Sequence, residues 1–125
     1  MNLILDTSIL IAIEKGDAGI IEELKKLKSL YPAPPKISFV SYFEFFHWLR
    51  KKNVKNKQES LAFLDLFEVI HTTKETARVL SMLKEKYELP LADLLIAAQT
   101  IESDGVLFSK DKDFVKISGL NKVIL

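Results

Sequence analysis

Asp6, Glu44, Asp93 and Asp111 each stand beside an apolar run and near an expected helix start, where a folding chain would otherwise stack hydrophobic side chains. Two like charges about 4 Å apart at an effective dielectric near 20 repel by about 4 kcal/mol. The whole folding stability of such a chain is only about 5–15 kcal/mol. Carboxylates gathered in one cleft therefore need a cation. Hard oxygen donors suit Mg2+ or Mn2+, which bind through one or two carboxylates and complete their shell with water and substrate phosphate. The chemistry these residues could do together is divalent-metal chemistry on phosphate groups.

Each acid also has a structural reading. Asp6 can cap a helix after the first strand, and Ser41 with Glu44 fits the S-x-x-E capping box. Asp93 suits a first helical turn, where the helix dipole favours a negative charge, and Asp111 can open a turn. Taken singly these roles are the commoner ones, and only the combination favours a shared site.

The elements that must position the acids follow from hydrophobic patterning. Asn2–Leu5 reads as a short buried strand closed by Asp6-Thr7-Ser8, with a helix over Thr7–Glu14. Asp17–Leu30 repeats Ile20, Ile21, Leu24, Leu27 and Leu30 at helical spacing, and Pro32, Pro34 and Pro35 stop it. Lys36–Val40 alternates like a strand, and Ser41 opens an aromatic helix to about Lys52. Helices are expected over Lys57–Phe67, Lys74–Tyr87 and Leu91–Ser103, the last almost wholly apolar and buried. Strands are expected at Glu68–Ile70, Val106–Phe108 after an Asp104-Gly105 turn, and Lys122–Leu125. Short apolar strands alternating with helices give an α/β three-layer sandwich with a short, mostly parallel central sheet. In such a sheet the strands' carboxyl ends feed helix N-termini at one edge, where ligands bind, so one cleft can collect all four acids.

Composition bounds the partners. The 125 residues suit one domain over 1–125, with 48% hydrophobic and 28% charged residues excluding disorder. A net charge of +1 gives no global field toward nucleic acid, so any such binding must be local. The chain has no cysteine, which removes disulfides and thiolate metal sites and fits a reducing, cytoplasmic setting. The N-terminal apolar run has no basic leader and is broken by Asp6 and Glu14, too early for a membrane span.

Four stretches, in order, are Leu5–Ser8 (LDTS), Ser41–Glu44 (SYFE), Leu91–Ala98 (LADLLIAA) and Ser109–Phe114 (SKDKDF). With these the chain resembles the PIN-domain ribonucleases, and within them the compact VapC-type toxins of toxin–antitoxin systems. The resemblance covers essentially the whole chain. It implies a PIN-like fold and a Mg2+- or Mn2+-dependent endoribonuclease with Asp6, Glu44, Asp93 and Asp111 as the acidic quartet and metal ligands. Asp113 stands as a further acid beside Asp111, which is the favoured fourth ligand. Ser8 looks like the hydroxyl that orients the first acid, and Ser109 takes the place where the family more often has threonine. The resemblance also implies a homodimer and a small antitoxin covering or filling the cleft.

Remaining features divide between function and scaffold. Arg50, Lys51, Lys52, Lys55 and Lys57 concentrate positive charge past the helix that carries Glu44. They can guide RNA phosphates or simply complement a helix C-terminus. Tyr42, Phe43, Phe45, Phe46 and Trp48 exceed what one short helix can hide, and an exposed remainder would mark a protein contact. Glu44 and His47 form a single E-x-x-H, whereas a di-iron bundle needs two, and His71 is solitary. Gly16, Gly19, Gly105 and Gly119 are too scattered for a phosphate loop. RNase H-like, Toprim-type and phosphoacceptor receiver sites each leave some of the acids unused or lack an expected element. Two alternatives stay open: a non-catalytic PIN-like module binding RNA or protein, and an RNA-processing nuclease without an antitoxin.

Overall fold

Leu3, Ile4 and Leu5 have no exposed surface, because strand β1 (Asn2–Leu5) lies in the middle of the sheet with both faces covered. Alternation then divides its side chains. Leu3 and Leu5 enter one core with Ile9, Leu10, Ile20, Leu27, Phe45 and Leu64, while Ile4 enters the other with Leu94, Ile96, Ala97 and Phe114. Residues 1–52 and 55–125 are described here from a computed structural model.

The first core is covered by helices α1 (Thr7–Glu14), α2 (Ala18–Leu30), α3 (Phe39–Lys51) and α4 (Lys57–Leu64). The second lies under α5 (Lys74–Lys86) and α6 (Leu91–Glu102). Strands β2 (Lys36–Ser38), β3 (Glu68–Ile70), β4 (Gly105–Ser109) and β5 (Lys122–Ile124) complete a five-stranded sheet in the order β3-β2-β1-β4-β5. Every pairing is parallel, so the α/β three-layer expectation holds and the sheet is parallel throughout. The order reverses between β1 and β4. A crevice at the strands' carboxyl ends is the consequence of that reversal.

Several boundaries shift from the sequence reading, each for a local reason. β2 stops at Ser38 because the Ser38 hydroxyl accepts from the Val40 N–H at 3.0 Å and caps α3. The expected Ser41-Glu44 capping box is therefore not formed. Ser41 lies inside the helix, buried, with its hydroxyl unpartnered, and Glu44 falls in the second turn. α4 ends at Leu64 rather than Phe67, and the Phe67 ring packs edge-on against Phe63 at 5.2 Å. A 3-10 helix over Lys112–Lys116, absent from the sequence reading, follows β4. The Asp104-Gly105 turn forms as expected, with Asp104 at φ 53°. A Cβ at Gly105 would lie 2.7 Å from Ile4 Cγ1 and 3.2 Å from Thr100 O, so a larger residue there would force β1 or α6 atoms to shift. Among the described residues no helix is long and apolar enough to cross a membrane.

Candidate active site

Asp6 directly follows β1 at the sheet reversal and is only 5% exposed. Its backbone caps α1, the carbonyl accepting from Ile9 and Leu10 N–H at 3.0 and 3.2 Å. Its side chain makes no cap bond. The carboxylate is instead held by two hydroxyls: Ser109 Oγ donates to Oδ2 at 2.6 Å and Ser8 Oγ donates to the same oxygen at 2.9 Å. Those hydroxyls also organise the end of β4. Ser109 Oγ accepts from Asp111 N–H at 2.9 Å and Ser8 Oγ accepts from Lys110 N–H at 3.0 Å. Ser8 and Ser109 thus tie the first acid to the loop that carries the last.

Glu44 reaches the same edge from α3, and Thr7 Oγ1 donates to its Oε1 at 2.6 Å. Thr7 escaped the sequence reading, although the signal existed: an acid followed by two hydroxyls at a helix start offers one hydroxyl to each of two neighbouring carboxylates. Asp93 sits in the first turn of α6, whose cap position, Pro90, provides no side-chain acceptor. Asp111 caps the 3-10 helix through Oδ1, which accepts from Asp113 N–H at 2.9 Å. Asp113 also faces Lys116 Nζ at 3.4 Å.

Among the described residues, carboxylate oxygens of Asp93, Asp111 and Asp113 lie within 4.8 Å of one another. Asp93 feels every other acid of the set. Burial first, then the charges of Asp111, Asp6, Asp113 and Glu44, push its carboxyl up to about 6 from an ordinary 3.8. Asp93, Asp111 and Asp113 thus come together, and Asp6 and Glu44 lie near enough for their charges to act on Asp93. An all-oxygen donor set drawn from crowded carboxylates has the chemistry of a hard divalent cation site. The residues present fit Mg2+ or Mn2+.

Other expected residues lie elsewhere. His47 stacks on Phe43 at 5.8 Å and His71 tilts against Phe39 at 6.4 Å, and neither belongs to the acidic group. Arg50 and Lys51 occupy the last turn of α3, and Lys51 is about 10 Å along the axis from Glu44. Lys52 ends that helix, and Lys55 lines a cavity with Glu14, Asn56 and Glu59. Arg50, Lys51 and Lys52 thus sit at the C-terminal end of α3, where they complement the dipole. Asn53 and Val54 of that basic run lie outside the described residues. Phe45 is buried and Tyr42 and Trp48 half-buried, whereas Phe39, Phe43 and Phe46 are 50%, 56% and 37% exposed.

Solved structures share this fold. A toxin–antitoxin complex from Klebsiella pneumoniae aligns at a TM-score of 0.78 with 24% identity over 95% of both chains. VapBC-1 from nontypeable Haemophilus influenzae aligns at 0.78 with 24% identity, covering 99% of this chain and 98% of that one. VapBC2 from Rickettsia felis, bound to a DNA fragment from its promoter, aligns at 0.77 with 22% identity over 100% and 99% of the two chains. No curated protein matches the chain. The family model of the PIN domain matches residues 3–120, and the chain accordingly belongs to the PIN domain family.

Proposed function

We propose that the protein is a Mg2+- or Mn2+-dependent endoribonuclease and the toxin of a VapBC-type pair. The observation that supports this reading is the grouping of Asp93, Asp111 and Asp113, with Asp6 tied to the Asp111 loop through Ser109 and the charges of Asp6 and Glu44 acting on Asp93. When bound, a divalent cation offsets the mutual repulsion of the acids, acidifies a water and neutralises charge on the phosphodiester's leaving oxygen. Asp93, Asp111 and Asp113 are the residues that would hold it, with Asp6 and Glu44 beside them. Ser8 and Ser109 fix the orientation of the Asp6 carboxylate, and Thr7 does the same for Glu44. Such fixed ligand geometry matters because partners of metal ligands commonly control affinity 10–100-fold, to order of magnitude.

Residues 1–125 act as one cytoplasmic domain in this reading. Its partners are an RNA substrate, a second copy of the chain and a small antitoxin. The toxin–antitoxin complexes among the structural neighbours support the antitoxin, and the exposed Phe39, Phe43 and Phe46 beside Glu44 provide apolar surface for a protein contact. The test is cleavage of RNA with added Mg2+ or Mn2+, with chelator and Asp93→Asn as controls. Metal-dependent cleavage lost in both controls is the expected result. Binding without cleavage would instead favour a non-catalytic module. A short neighbouring gene encoding a protein that suppresses cleavage distinguishes a toxin from an RNA-processing nuclease.

A further inference from the structure

Acidic residues collected at one edge repel a polyanion, so an RNA strand needs compensating cations nearby. One groove supplies them. It has a volume of about 320 Å³ and is lined by Ser8, Ile11, Ala12, Lys15, Asp17 and Lys110. Ser8, Ile11, Ala12 and Lys15 follow at spacings of three, four and seven residues, which form one continuous stripe of α1 and its C-terminal cap. Ser8 touches the acidic centre through Asp6 Oδ2, while Lys15 lies about 10 Å along the helix. Lys110 sits between Ser109 and Asp111, its N–H fixed on Ser8 Oγ at 3.0 Å. Its ammonium faces Asp17 Oδ2 at 3.7 Å, and both side chains are substantially exposed. Asp17 already serves as the α2 cap, accepting from Ile20 N–H at 3.2 Å. That geometry leaves Lys110 Nζ with a loose, solvent-screened partner that a phosphate can displace.

We propose that this groove is a second phosphate-binding subsite, in which Lys15 and Lys110 hold the RNA backbone next to the cleaved linkage. Ile11 and Ala12 give the groove apolar lining for sugar, and the two lysines can take phosphate oxygens, as positively charged grooves do in tracking a single-stranded backbone. Lys55 lines a separate cavity with Glu14 and Glu59, whereas this groove meets the acids through Ser8. The inference rests on the ribonuclease reading above.

The experiment compares metal-dependent cleavage by wild type, Lys15→Ala/Lys110→Ala and Lys15→Arg/Lys110→Arg. Substrates are a single-stranded RNA of about twelve nucleotides and a dinucleotide too short to span the groove. The alanine pair is expected to raise KM on the long RNA about tenfold with kcat retained. It should also flatten the slope of log kcat/KM against log salt by about one to two. Dinucleotide cleavage should stay unchanged, the arginine pair should restore the long substrate, and Lys25→Ala/Lys26→Ala on α2 should match wild type. An active wild type whose alanine pair keeps the same KM and salt slope overturns the subsite alone. A wild type that cleaves no RNA with either metal overturns the nuclease reading, and the subsite with it.

Discussion

The two halves of the cleft are built on different principles. Around Asp6 and Glu44 the protein provides its own hydrogen-bond donors: Ser8 and Ser109 for one carboxylate, Thr7 for the other. Around Asp93 it provides burial and four other acids. The first half is complete without a ligand, because each of its carboxylates has a donor. In the second, Asp111 and Asp113 have donors of their own, Asp113 N–H and Lys116, but Asp93 stays crowded by like charge, which is tolerable where an ion resolves it. Rigid, satisfied geometry on one side and unresolved charge on the other is what a cation-assembled site requires.

That contrast can be broken most severely from the crowded side. Asp93→Asn should lower RNA cleavage by about 100-fold or more, since it removes a candidate ligand outright. The same variant should melt higher than wild type in chelator, because it relieves like-charge repulsion. Cleavage assays and melting curves on one preparation check both. From the satisfied side, Ser109→Ala deletes the 2.6 Å donor to Asp6 and the acceptor of Asp111 N–H. It should cost about 1–3 kcal/mol of stability in denaturant titration and about 10–100-fold in activity. Thr7→Val removes the hydroxyl that donates to Glu44, so a fall of about tenfold in activity is expected, with a smaller loss of stability than for Ser109→Ala.

A pH series separates the halves without mutation. The Asp93 carboxyl is raised from 3.8 to about 6 in the folded protein, so the folded state holds this proton more tightly than the unfolded chain does. The resulting stabilisation is fully present below 3.8 and is lost as pH rises through about 6. Metal-free protein should therefore melt higher at pH 5 than at pH 7.5, to order of magnitude within the range of a single shifted carboxyl. Asp93→Asn should abolish that difference, and saturating Mn2+ should reverse the preference by favouring the ionised form.

Much of this was legible in the chain because its signals are local. Leu3–Leu5 followed by Asp6 announces a buried strand running into a helix, and the β-α alternation predicts parallel pairing. What escaped was decided by competition between neighbours. Ser38 and Ser41 both precede an aromatic helix, and only the backbone conformation at Ser38 makes it the cap, which moves Glu44 one turn inward. The Thr7–Glu44 and Ser109–Asp6 contacts span 37 and 103 residues, beyond any spacing rule. The basic run past Glu44 admits both a phosphate-guiding and a helix-dipole role for a related reason: charge is visible in sequence, but the direction in which α3 carries it is not.

Anomalous diffraction from crystals soaked in Mn2+ tests the convergence of acids most directly. A peak about 2.1 Å from carboxylate oxygens of Asp93 and at least one of Asp111 and Asp113 is expected, absent from Asp93→Asn crystals. A wild-type cleft that stays empty at saturating Mn2+, or a peak bound away from these side chains, would contradict a metal-assembled site.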